Sequence, residues 1–160
     1  MPKTIAMNTA KQAFLKEEFI PLLRRLQPGQ KGKWGKMDAQ QMVEHFRQAL
    51  KVANGKINAP LHSNDMERLQ KIRQFLMIDV PFKENTRSPL LGEEPLPHKF
   101  SSLQEAIDKL EVELQDVFSV YENNEGKIIL NPVFGELDYE QQVQLLHKHA
   151  THHLVQFGLL

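Results

Sequence analysis

The chain has 160 residues and a mass of 18.5 kDa, the size of one domain with a core large enough to fold without staples. Its 20 Lys and Arg are balanced by 20 Asp and Glu, so no long-range field favours nucleic acid or an anionic membrane surface. There is no cysteine, which excludes a disulfide framework, a zinc ribbon, an iron–sulfur site and a catalytic thiol, and leaves nitrogen and oxygen as the only metal ligands.

Met1-Pro2-Lys3-Thr4 is not followed by an apolar run, and no segment approaches the ~18 apolar residues of a membrane span. The expectation is a soluble, cytoplasmic protein that forms a single domain over residues 1–160. A first helix is expected from a cap at Asn8 or Thr9 through Phe14, Leu15, Phe19, Leu22, Leu23 and Leu26, kinked or divided by Pro21 and ended by Pro28-Gly29. Gly32, Trp34 and Gly35 mark a loop. Asp38 with Gln41 makes a capping-box start for a second helix, whose apolar face collects Met42, Phe46, Ala49, Leu50 and Ala53 before Asn54-Gly55.

A shorter third helix is expected from Ser63 or Asn64 to about Ile78, with Met66, Leu69, Ile72, Phe75 and Leu76 at three- and four-residue steps. From Val80 to Phe100 the chain carries Pro81, Pro89, Gly92, Pro95 and Pro97, too many breakers for regular structure, and reads as a long crossover. Ser102 with Glu105 is a capping box for a fourth helix that ends at Asn123-Asn124-Glu125-Gly126. Lys127–Leu130 reads as one extended piece without a partner, and Asn131–Gly135 as a loop. Asp138 and Gln141 then cap a last helix bearing Val143, Leu146, Ala150, Leu154 and Phe157 and stopping at Gly158. Four long helices and a short one in a connection predict an all-α bundle.

Four of the seven histidines fall within His147–His153. On a helical wheel His149 and His153 lie about 40° apart on one face, the H-x-x-x-H spacing by which one helix supplies two metal ligands. Both sit at the edge of the apolar stripe, and His45 sits about 85° from the apolar direction of its own helix. Two packed helices can point such rim positions into one cleft, giving three nitrogen ligands and open positions for water or substrate, although spacing leaves the third ligand open.

Trp34-Gly35-Lys36-Met37, Gln41-Met42 and His45, together with Asn131-Pro132-Val133-Phe134-Gly135 and Lys148-His149-Ala150-Thr151-His152-His153-Leu154 followed by Gln156-Phe157-Gly158, resemble a branch of the DinB/YfiT-like superfamily. The resemblance implies an up-down-down-up four-helix bundle with an extra short helix and the Pro-rich crossover. It also implies a divalent ion, with zinc or nickel leading among the metals that suit imidazole, held by His45, His149 and His153. The Arg-Gly-Gln that commonly follows the histidine string is Leu154-Val155-Gln156 here. Relatives of this kind are metal-dependent transferases of low-molecular-weight thiols, so the implied substrate is a small molecule such as a thiol. The other reading is a non-catalytic ligand-binding or interaction module on the same bundle.

His152, Gln41, Gln142, Gln156 and Trp34 are the candidate second shell or pocket lining. His62, His98 and His147 read as ordinary residues, and the Val80–Phe100 crossover as a lid or pocket wall. No general base is identified: Glu44 and His152 adjoin ligands in sequence but should point elsewhere. Neither nucleic acid nor membrane is expected as a partner, while a homodimer through exposed bundle faces is compatible with either reading.

Overall fold

The computed structural model describes residues 2–84 and 94–160, giving only the helical backbone for residues 2–8. The described residues form α1 (Pro2–Glu17), α2 (Phe19–Leu23), α3 (Ala39–Ala53), α4 (Met66–Leu76), α5 (Leu103–Glu122), β1 (Ile129–Asn131), β2 (Gly135–Leu137) and α6 (Tyr139–Gln156). These residues are thus mostly helical, with one two-stranded sheet among them. No helix among the described residues is long and apolar enough to cross a membrane.

The first helix starts at Pro2, earlier than Asn8 or Thr9, because proline is well tolerated in a first turn and no breaker follows it. Pro21 divides it as expected. Lacking an N–H, Pro21 cannot bond the Glu17 carbonyl, so α1 ends there and α2 restarts with Pro21 in its first turn, where no donor is needed. Phe19, Ile20 and Leu23 of α2 are all buried.

α3 and α6 start alike. Asp38 and Asp138 each accept the backbone N–H of the residue three later, and Gln41 and Gln141 reach back to the Asp38 and Asp138 amides. α5 completes only half of the expected box: Ser102 accepts the Glu105 amide, but the Glu105 carboxylate is taken by the Ser101 hydroxyl. α4 is capped by Asp65, one or two residues after the expected position. Its apolar residues are not one buried face: Leu69 and Leu76 pack inward, while Met66 and Phe75 are 63% and 53% exposed. The reason is that α4 lies outside the main core, and Leu76 joins Leu137 and Leu145 in a small separate cluster.

Lys127–Leu130 does have a partner, contrary to expectation. Ile129, Leu130 and Asn131 pair antiparallel with Leu137, Glu136 and Gly135. The turn is closed by Asn131, whose Oδ1 accepts both the Val133 and Phe134 amides at 2.8 and 3.0 Å, an Asx turn that Asn-Pro-Val-Phe-Gly encodes.

The main core is filled by Phe19, Met42, Phe46, Leu50, Leu110 and Leu146, with others from the same helices. Each such side chain contributes about 1.5–3 kcal/mol through burial. Polar pairs set the directions of the helices. Lys11 meets Gln144 and Phe14 meets His147, so α1 and α6 run the same way. Lys16 meets Glu122 and Arg24 meets Asp108, so α5 runs opposite to α1 and α2. Glu44 accepts the Phe100 amide just before α5, and Lys56, just past α3, meets Asp116, so α3 and α5 run the same way. The beginning of α3 lies at the end of α6.

The central part of the expected crossover, residues 85–93, lies outside the described residues. Its later flank is tied down by α3: Glu44 accepts the Lys99 and Phe100 amides, and Gln41 Nε2 donates to the Leu96 carbonyl.

Candidate metal centre

Position 45 on α3 and positions 149 and 153 on α6 face one another across the antiparallel contact between these helices. The capping boxes fix where each helix starts, and with that the face on which His45, His149 and His153 fall. His45 Nε2 is 3.2 Å from His149 Nε2, and His149 Nε2 is 2.8 Å from His153 Nε2. All three offered nitrogens lie within 4.8 Å of one another. His153 is buried, at 4% exposure, and His45 and His149 are half-buried. The wheel placed both α6 histidines at a rim; packing of α3 over that side makes His153 interior and leaves His149 half-buried.

Phe46, fully buried, lies against the His149 ring with centroids 4.6 Å apart and planes tilted by 32°. The surroundings favour neutral imidazole. Burial pushes the His45 pKa down to about 4, with the neighbouring His152 acting in the same direction. Burial lowers His153 to about 3 despite the hydrogen bond to Gln156, and His149 is lowered well below the ordinary value by burial and then by the other histidines. A neutral ring keeps a lone pair for a metal.

The second layer is built on Gln156, which is buried. Its Nε2 donates to the Trp34 carbonyl at 2.9 Å, and its Oε1 lies 2.7 Å from His153 Nδ1. With the amide oriented by Trp34, Oε1 can only accept, so His153 carries its proton on Nδ1 and presents the Nε2 lone pair to the cluster. His152 lies beside the three histidines: its ring is 5.2 Å from that of His153, between Trp34 at 5.5 Å and Phe82 at 6.2 Å. Trp34 is half-buried and packs on His152, and Phe82 brings the first part of the crossover to the same place.

Two of the expected pocket residues are elsewhere. Gln41 is spent on the capping box and on Leu96, which holds the crossover and not a ligand. Gln142 lies two turns before His149, buried against Tyr121, where its Nε2 donates to the phenol oxygen. Glu44 points to the crossover backbone. Of the histidines read as ordinary, His62 is exposed, His98 meets Asp38 at 2.8 Å, and His147 packs edge-on against Phe14 with its pKa lowered by burial. Phe46 and Phe82 escaped sequence reasoning, since a phenylalanine at helical spacing or in a Pro-rich stretch is indistinguishable from core filling. An open groove of about 440 Å³ lined by Tyr121, Lys127 and Tyr139 lies at the opposite end of α6 and contains no histidine.

The donor set fits a divalent ion. With His153 committed as an acceptor through Nε2, at most one or two protons can lie among three converging nitrogens, whereas one cation satisfies all three lone pairs. Zinc bound tetrahedrally at about 2.0–2.1 Å holds its nitrogens roughly 3.3 Å apart, against 3.2 Å for His45–His149 and 2.8 Å for His149–His153. No carboxylate belongs to the cluster among the described residues. Comparison of the chain with family models, curated proteins and solved structures returns no match.

Proposed function

We propose that the protein is a DinB/YfiT-type metal-dependent transferase that acts on a low-molecular-weight thiol, with one divalent ion, zinc or nickel first, held by His45, His149 and His153. The observation that carries this reading is the convergence of three neutral imidazole nitrogens on one point with Gln156 behind one of them. The helix directions support the up-down-down-up bundle: α1 with α6 one way, α3 with α5 the other.

Three protein ligands leave room for substrate, and the ion would supply Lewis acidity, lowering the pKa of a coordinated thiol. The chain's own residues exclude water and orient. Phe46 walls one side of His149, and Trp34, His152 and Phe82 form an aromatic flank on which the apolar part of a substrate can lie. The absence of cysteine means that no thiolate of this chain competes for the ion.

Elemental analysis of the purified or metal-reconstituted protein should give close to one divalent ion per chain, and His45→Ala, His149→Ala or His153→Ala should lose it. The loaded protein should consume a low-molecular-weight thiol in the presence of an electrophile. Failure to bind zinc, nickel or manganese overturns the site. A loaded protein that is inert toward thiols yet retains a small ligand favours the binding module, a reading motivated by Leu154-Val155-Gln156 standing where Arg-Gly-Gln is common and by Glu44 being spent on the Lys99 and Phe100 amides.

A further inference from the structure

Gln156 joins two parts of the molecule that are distant in sequence. Its Oε1 receives the His153 Nδ1 proton, its Nε2 donates to the Trp34 carbonyl, and its own backbone carbonyl accepts the Lys33 amide at 2.7 Å. The loop is cut to fit this side chain. A Cβ on Gly32 would stand 2.9 Å from both Gln156 Cγ and the Trp34 carbonyl oxygen. Gly35 has φ +80°, and a Cβ there would stand 3.0 Å from Gln156 Nε2. Two glycines flanking one tryptophan thus allow the loop backbone to close on one buried amide. An exposed helix-end glutamine needs none of this.

We infer that Gln156 is a positioning residue that couples the Gly32–Gly35 loop to the metal centre: the loop orients the amide, the amide fixes the His153 tautomer, and the tautomer presents Nε2 as a ligand. The inference rests on the three-histidine reading for its metal arm but not for its tautomer arm. Coupling is reciprocal, so occupancy of the centre stabilises the loop and loosening of the loop weakens the centre. A site whose ligand is oriented from a loop beside its own aromatic flank can respond to what binds there.

The test separates the two halves of the amide. Gln156→Glu keeps an acceptor for His153 and loses the donor to Trp34; Gln156→Met conserves size and keeps neither. Long-range proton–nitrogen NMR of the metal-free protein should show His153 protonated on Nδ1 in the wild type and in Gln156→Glu, but not in Gln156→Met. Zinc affinity, measured by competition with a chromophoric chelator, should fall about 10–100-fold in Gln156→Met and stay within a few-fold in Gln156→Glu. Gly35→Ala, which touches no ligand, should weaken zinc by several-fold, and this arm decides the coupling should Gln156→Met fail to fold. Zinc should also slow hydrogen exchange of the Lys33 amide. A wild-type tautomer with the proton on Nε2, equal affinities in wild type and Gln156→Met, or equal losses in the Glu and Met variants would overturn the inference. Should the wild type bind no zinc, the three-histidine reading fails, and the tautomer measurement alone decides the role of Gln156.

Discussion

α3 carries two buried polar centres, and they are built on opposite principles. At its end, Glu113 of α5 is almost fully buried but is met by Lys56 at 2.8 Å, by the Asn54 amide at 3.0 Å and by Arg47 at 3.7 Å. Charge is paired with charge, and nothing is left to offer a ligand. At its middle, His45 meets two more histidines, and like faces like. Among the described residues no carboxylate joins the three nitrogens, and the protons they can share do not satisfy all three at once. Buried polarity that is satisfied internally builds the fold; buried polarity that is complementary to something absent from the chain marks a site.

The largest difference should appear on removing one member of each centre. His149→Ala should abolish metal binding, reading from about one ion per chain to none by elemental analysis, and abolish the rise in Tm that zinc gives the wild type. Metal-free His149→Ala should be no less stable than metal-free wild type by more than about 1 kcal/mol, because the change also relieves a lone-pair contact. Glu113→Leu should do the reverse. It strands Arg47 in a largely buried position and should cost about 3 kcal/mol in urea denaturation, with metal stoichiometry unchanged.

Acid should separate the two centres along the pH axis. For the metal-free protein, the cluster histidines have folded pKa values below the ordinary 6.5, about 4 for His45 and about 3 for His153. The unfolded chain therefore takes up their protons first, so this part of the stability is fully present above 6.5 and is lost as pH falls from there through about 4 toward about 3. Burial pulls Glu113 upward, but hydrogen bonds from Lys56 and Asn54 outweigh it and leave its pKa below 4.5. Its contribution is kept above 4.5 and lost only as pH falls further. The urea midpoint of the wild type should accordingly fall in two stages, and His45→Ala should blunt the upper stage alone. The smallest effect belongs to His98→Ala, which removes an exposed contact with Asp38 and should cost no more than about 1 kcal/mol, leaving metal binding intact.

The helices that frame the histidine cluster were legible because their signals are local. Asp38 with Gln41 and Asp138 with Gln141 are capping boxes within four residues, and His149 with His153 is a spacing within one turn. The hairpin was not legible: Ile129 and Leu137 pair across a turn, and a three-residue strand looks isolated until its partner is known. Met66 and Phe75 misled for a related reason, since their periodicity is helical but α4 has only Leu69 and Leu76 covered.

Sequence alone decided the chemistry on offer: no cysteine, a balanced charge, and two imidazoles one turn apart on a capped helix. It could not decide depth or direction. A rim position on a wheel is wet or dry according to the helix packed beside it, and α3 makes His153 interior. Which nitrogen His153 presents depends on Gln156, whose amide is oriented by a carbonyl from Trp34, 122 residues away. Neutrality, tautomer and convergence arise from burial and from hydrogen bonds between distant segments, and these exist only once the chain has folded.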